Sequence, residues 1–99
     1  MTTIWKFELP ISNHAIIEMP LDDRPIHVGE QDGKLYLWAV VFPKNPMTQR
    51  MFRVVGTGHP LIDWSEKHIG TVQMQTGLVW HVFDGNRSEY EGAAGGLSQ

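Results

Sequence analysis

Asp32-Gly33 stands between two runs of strand-forming residues, and no other dipeptide restricts the fold as much. A two-residue type I′ turn needs positive φ at both central positions, which Asp and Gly supply at low cost, so an antiparallel hairpin is expected here. One arm begins at Ile26-His27-Val28, and the other is Leu35-Tyr36-Leu37-Trp38-Ala39-Val40-Val41-Phe42. The second arm is apolar on both faces, which suits the middle of a sandwich or barrel, or a strand whose outer face is covered by a second subunit. Tyr36, Trp38 and Val40 are then the shared face of a homo-oligomer, most simply a dimer.

The rest of the chain follows the same period of two. Trp5, Phe7 and Leu9 alternate with Lys6 and Glu8 until Pro10 ends the run, and His14 to Met19 forms a second extended stretch. Met51 to Val55 is a further strand, and Ile69 to Gln75 alternates Gly70, Val72 and Met74 against Thr71, Gln73 and Gln75. Thr76-Gly77 turns this last strand into Leu78 to Phe83. No window of ten or more residues repeats with helical period, leaving at most one short helical turn between His59 and Lys67. The expected fold is all-β, a small antiparallel sandwich or barrel of about seven strands.

Ninety-nine residues suffice for one domain and are too few for two. The composition changes after Asp84 to a Gly-rich stretch that cannot bury a face, so residues 1–84 are expected to form the domain and 85–99 a flexible tail. Eight basic residues against eleven acidic ones, a net charge of -3, are scattered without a basic stripe, which disfavours duplex nucleic acid and leaves small anions possible. The absence of cysteine excludes disulfides, thiolate zinc sites and cysteine nucleophiles. The first residues lack the pattern of a signal peptide, and no apolar run approaches the ~20 residues that span a bilayer. A cytosolic protein without a membrane partner is expected.

Gly56-Thr57-Gly58-His59-Pro60 is the leading candidate site, because two glycines let backbone N–H groups converge while Thr57 and His59 add hydrogen-bonding side chains. A tight corner at the end of a strand would use the same residues. Arg53 or Arg50 would select an anion there, and Trp64 could stack on a base. Trp5, Trp38 and Trp80 fall inside strands and are expected to be packed. The histidines His14, His27, His59, His68 and His81 show no ligand spacing, so neither a metal nor another cofactor is expected. Asp22, Asp23, Asp63, Glu66 and Asp84 lie where turns use acidic residues, and Ser12, Ser65 and Ser88 sit in no nucleophile elbow. The chain is not expected to be an enzyme.

Ile4-Trp5-Lys6-Phe7, Leu37-Trp38-Ala39, Phe52-Arg53, Gly56-Thr57-Gly58-His59-Pro60, Ile69-Gly70-Thr71 and His81-Val82-Phe83 together resemble a family of small proteins of unassigned function encoded by bacteriophages and prophages. The resemblance runs from about residue 3 to residue 83 and leaves out the tail. It implies expression in the cytoplasm of an infected host, and no reaction. The expected function is that of a non-enzymatic binder that inhibits a host antiviral defence system, by sequestering a nucleotide-type ligand or by masking a host protein. A virion or assembly accessory module is the alternative, followed by a small hydrolase.

Overall fold

Alternation of buried and exposed residues carries most of the architecture. The computed structural model describes residues 1–85. It contains β1 (Thr3–Glu8), β2 (Ala15–Pro20), β3 (Arg24–Gln31), β4 (Lys34–Val41), β5 (Met47–Gly56), β6 (Lys67–Gln73) and β7 (Val79–Asp84). They form two antiparallel sheets, β1-β4-β3 and β2-β5-β7-β6. The all-β expectation holds, as a sandwich rather than a closed barrel. Among the described residues there is no helix, and the stretch between His59 and Lys67 is a loop. The expected tail lies outside the described residues except for Gly85, which is buried and donates its N–H to the Met51 carbonyl at 3.0 Å.

Asp32 (φ 53°) and Gly33 (φ 81°) both take positive φ, and Gln31 pairs with Lys34 across the turn. In β4, Leu35, Leu37, Ala39 and Val41 are fully buried while Tyr36, Trp38 and Val40 are half-buried. The outer row owes its partial cover to its own sheet. The Lys6 ammonium lies 4.6 Å from the Tyr36 ring centre, and the His27 ring lies 5.5 Å from that of Trp38. Leu9, Met19, Phe52 and Val82 complete the core with the inner row of β4, each large apolar side chain contributing ~1.5–3 kcal/mol. Trp5 departs from expectation and stays 38% exposed, because β1 pairs only with β4 and its inner-face row runs along the sheet edge.

Several strands begin earlier than the apolar pattern predicts, β6 among them at Lys67 rather than Ile69. β5 starts at Met47 rather than Met51, because Thr48, Gln49 and Arg50 gain ladder partners from Met19, Glu18 and Ile17. Backbone pairing extends a strand through residues whose side chains give no alternation. β3 starts at Arg24, with a register shift between Pro25 and His27 that breaks the alternation around Ile26.

The two sheets are tied at the β2–β3 connection. Arg50 Nε donates to Asp23 Oδ2 at 2.8 Å and Nη1 to Asp84 Oδ1 at 2.9 Å, with the guanidinium 4.7 Å from the Phe52 ring centre. Burial opposes the charge on Arg50, but hydrogen bonds and Coulombic attraction from Asp23 and Asp84 outweigh it and raise its pKa above the usual arginine value. Along the seam between β3 and β6, Gly70 meets Val28 so closely that a Cβ there would lie 2.6 Å from Val28 Cγ2.

Candidate functional site

Residues 57–66 connect β5 to β6 and lie over the outer face of the four-stranded sheet. The connection opens with a tight turn, in which the His59 N–H donates to the Gly56 carbonyl at 3.0 Å and Gly58 takes φ 89°. That φ is the reason a glycine stands at the third position. Towards its end, Asp63 Oδ1 accepts from the Ser65 N–H at 3.0 Å and from the Ser65 hydroxyl at 2.6 Å. Trp64 sits at the centre of this turn and points outward.

The chain then brings Glu66 inward. Arg53 Nε donates to Glu66 Oε1 at 2.8 Å, and Arg53 Nη1 donates to the Asn13 carbonyl at 3.1 Å. Both side chains are buried, that of Glu66 completely. One guanidinium therefore anchors both the β5–β6 loop and the β1–β2 connection to the sheet.

Beneath the loop, Val55 pairs with His81 across β5 and β7, and His81 pairs with Thr71 across β7 and β6. This register assembles a line of hydrogen bonds. Thr57 Oγ1 is 2.8 Å from His81 Nε2, His81 Nδ1 is 3.0 Å from Thr71 Oγ1, and Thr71 Oγ1 is 2.9 Å from His68 Nε2. A neutral imidazole donates at one nitrogen and accepts at the other, and a hydroxyl does both, so the line is complete in either direction. Reversing it exchanges the His81 tautomer and turns the Thr57 hydroxyl from donor to acceptor.

A cavity of about 280 Å³ lies beside this line, walled by Val55, Thr57, His59, Leu61, His81 and Phe83. A second of about 330 Å³ shares Thr57 and His59 and continues to Leu78 and Trp80, whose buried Nε1 has no hydrogen-bond partner. A third of about 290 Å³ lies where the β2–β3 turn meets the start of β6, and it contains Arg50.

The structure brings together Gly56, Thr57, Gly58 and His59 at the first cavity, as the motif suggests. It does not bring the expected cations to them. Arg50 belongs to the third cavity and holds Asp23 and Asp84, while Arg53 holds Glu66. Asp23, Glu66 and Asp84, expected to be ordinary turn residues, are the counter-ions of these two arginines. Trp64 is outside the cavity wall and 83% exposed, beside Ile62 at 57% and Leu61 at 45%. His81, Thr71 and His68 escape sequence reasoning, because a two-residue Thr76-Gly77 turn would set Val72 opposite His81, whereas Met74 and Leu78 close a three-residue loop and bring Thr71 there. Among the described residues, no three His, Asp or Glu side chains converge as a metal site.

No match to this chain was found among curated proteins or among solved structures. A family model described as a domain of unknown function matches residues 1–93, and these cover the whole sandwich and the loop that caps it. The chain thus belongs to the family of that domain, DUF7352.

Proposed function

We propose that this protein works by binding rather than catalysis, and that the β5–β6 loop is the part that recognises its partner. The observation that carries this reading is the exposure of Trp64 at 83%, on a loop fixed at its base by the buried Arg53–Glu66 pair. A tryptophan left in water forgoes the burial of ~150–250 Å² of surface. Holding it outward on an ordered turn costs less if a partner covers it, and tryptophan is prominent among the residues that dominate protein interfaces. Ile62 enlarges the same apolar tip. The partner's chemistry is therefore that of a protein surface with an apolar pocket. In the viral setting that the resemblance implies, it would be a host protein masked by the loop.

Sequestration of a phosphate-bearing ligand draws less support, because Arg50 and Arg53 already hold carboxylates of this chain. Hydrolysis has one observation in its favour: Thr57, His81 and Thr71 stand as nucleophile, base and orienting group within hydrogen-bond reach. The orienting group is a hydroxyl, however, with no negative charge to stabilise an imidazolium, so binding is preferred.

Photo-crosslinking from position 62 in infected cells tests the proposal. One predominant host protein should be captured by the wild type, and calorimetry with that purified protein should show Trp64→Ala weakening the complex by ~2 kcal/mol or more. Capture of the same proteins by both variants with equal affinity would overturn it. Turnover of an activated ester, lost in Thr57→Val, would move hydrolysis to first place.

A further inference from the structure

We infer that the cavity beneath the β5–β6 loop is a binding site for an uncharged planar heteroaromatic ring of nucleobase type, separate from the protein-binding tip. Its size sets the first limit. At about 280 Å³ it falls at the small end of ligand pockets, typically ~300–1,000 Å³, and takes one ring system rather than a whole nucleotide.

Its walls set the second. Val55, Leu61 and Phe83 are apolar, and the polar groups are the Thr57 hydroxyl and the imidazoles of His59 and His81. Neither Lys nor Arg is among the residues that line it. Arg53, the nearest arginine in sequence, spends its Nε on Glu66 and an Nη on the Asn13 carbonyl. A site so lined favours a ring with a polar edge over an anion.

The hydrogen-bond line behind the wall supplies the third argument. Thr57 lines the cavity and its Oγ1 is bonded to His81 Nε2, His81 is bonded in turn to Thr71, and Thr71 to His68. When His81 carries its proton on Nε2, the Thr57 hydroxyl accepts from it and its own hydrogen points to the ligand. When the proton is on Nδ1, the hydroxyl donates to Nε2 and its free lone pair faces the ligand. Thr71 and His68 reverse with it, so no group in the line loses a partner. Nucleobase edges carry both donors and acceptors, and this site meets either one without rebuilding its wall.

The test is a titration of the full chain with adenosine, cytidine and uridine and with their 5′-monophosphates, followed by NMR of backbone amides and histidine side-chain nitrogens. Saturable shifts are expected at Thr57, His59, Thr71 and His81 for at least one nucleoside below about 10 mM. Its monophosphate should bind no more than about twofold tighter, and the His81 nitrogens should move towards a single tautomer. Thr57→Val should weaken binding about tenfold, Thr57→Ser should retain it, and Trp64→Ala should leave it unchanged. The absence of saturable shifts with every nucleoside would overturn the inference. So would a monophosphate that binds about tenfold tighter than its nucleoside, or equal binding by wild type and a folded Thr57→Val. Failure of the protein-masking reading would leave these outcomes untouched, because Trp64 does not line the cavity.

Discussion

On the outer face of the three-stranded sheet, Tyr36, Trp38 and Val40 are half-covered by side chains of their own sheet, notably Lys6 and His27. On the outer face of the four-stranded sheet, Val55, His81 and Phe83 lie beneath a separate loop. Both faces begin from similar strands, and they are finished by different means. Long side chains that fold back over an aromatic row leave a surface that water or another molecule can still reach. A loop laid over the sheet excludes water from part of it, but it must be fastened, and here the fastening is a charge pair taken out of solvent. Such a pair is weak as a source of stability and strong as a constraint on geometry, because either ion alone would be intolerable. The covered face therefore acquires a cavity and an ordered tip, whereas the bare face stays open to solvent.

The sharpest way to break this comparison is to remove the fastening. Arg53→Ala leaves the Glu66 carboxylate without its guanidinium and should cost about 3–5 kcal/mol in denaturant unfolding. Arg53→Met combined with Glu66→Leu should recover most of that loss, and a double variant as unstable as the single one would show that the pair itself is not the source. Next in size is Gly70→Ala at the seam joining the sheets, which should cost about 1–3 kcal/mol by forcing Val28 aside and be relieved by Val28→Ala. On the bare face, Trp38→Glu should cost about 1–2 kcal/mol. If Tyr36, Trp38 and Val40 form a dimer face, it should also lower the mass measured by light scattering at tens of micromolar. A wild type that is already monomeric there would remove the dimer. The smallest effect belongs to Trp64→Ala, expected to change stability by no more than about 0.5 kcal/mol because the indole touches little of its own chain. A larger loss would mean that Trp64 serves the fold.

How far the sequence discloses the molecule depends on the distance between partners. Asp32-Gly33 places its hairpin and register, since a turn is specified by the residues within it, whereas Thr76-Gly77 marks the second hairpin but not its register, because Met74 and Leu78 close a three-residue loop. Alternation in β6 identifies its inner row for a similarly local reason, whereas β4 is apolar on both faces and gives no such alternation. Arg50 resists such reading because its carboxylates lie 27 and 34 positions away, and ion pairing leaves no period along the chain. The Gly56 to His59 segment is visible as an irregular corner, but its connection to His81 depends on a register between β5 and β7 across the whole of the intervening loop. The loop expected to hold an anion lines a cavity, and the arginines expected beside it turn to carboxylates of the chain instead. An arginine near a glycine turn in sequence is equally near any carboxylate that the fold brings back.

The pairing pattern also has a consequence in time. Each hairpin closes over a short loop, a process that takes ~1–10 μs in small systems. β1 must find β4, with Thr3 opposite Val41, and β2 must find β5, with Ala15 opposite Phe52. Sandwiches dominated by such distant pairings assemble in milliseconds to seconds. In that interval the β3–β4 hairpin carries Leu35 to Val41 apolar on both sides and unprotected, and newly made chains that meet then can associate before they fold.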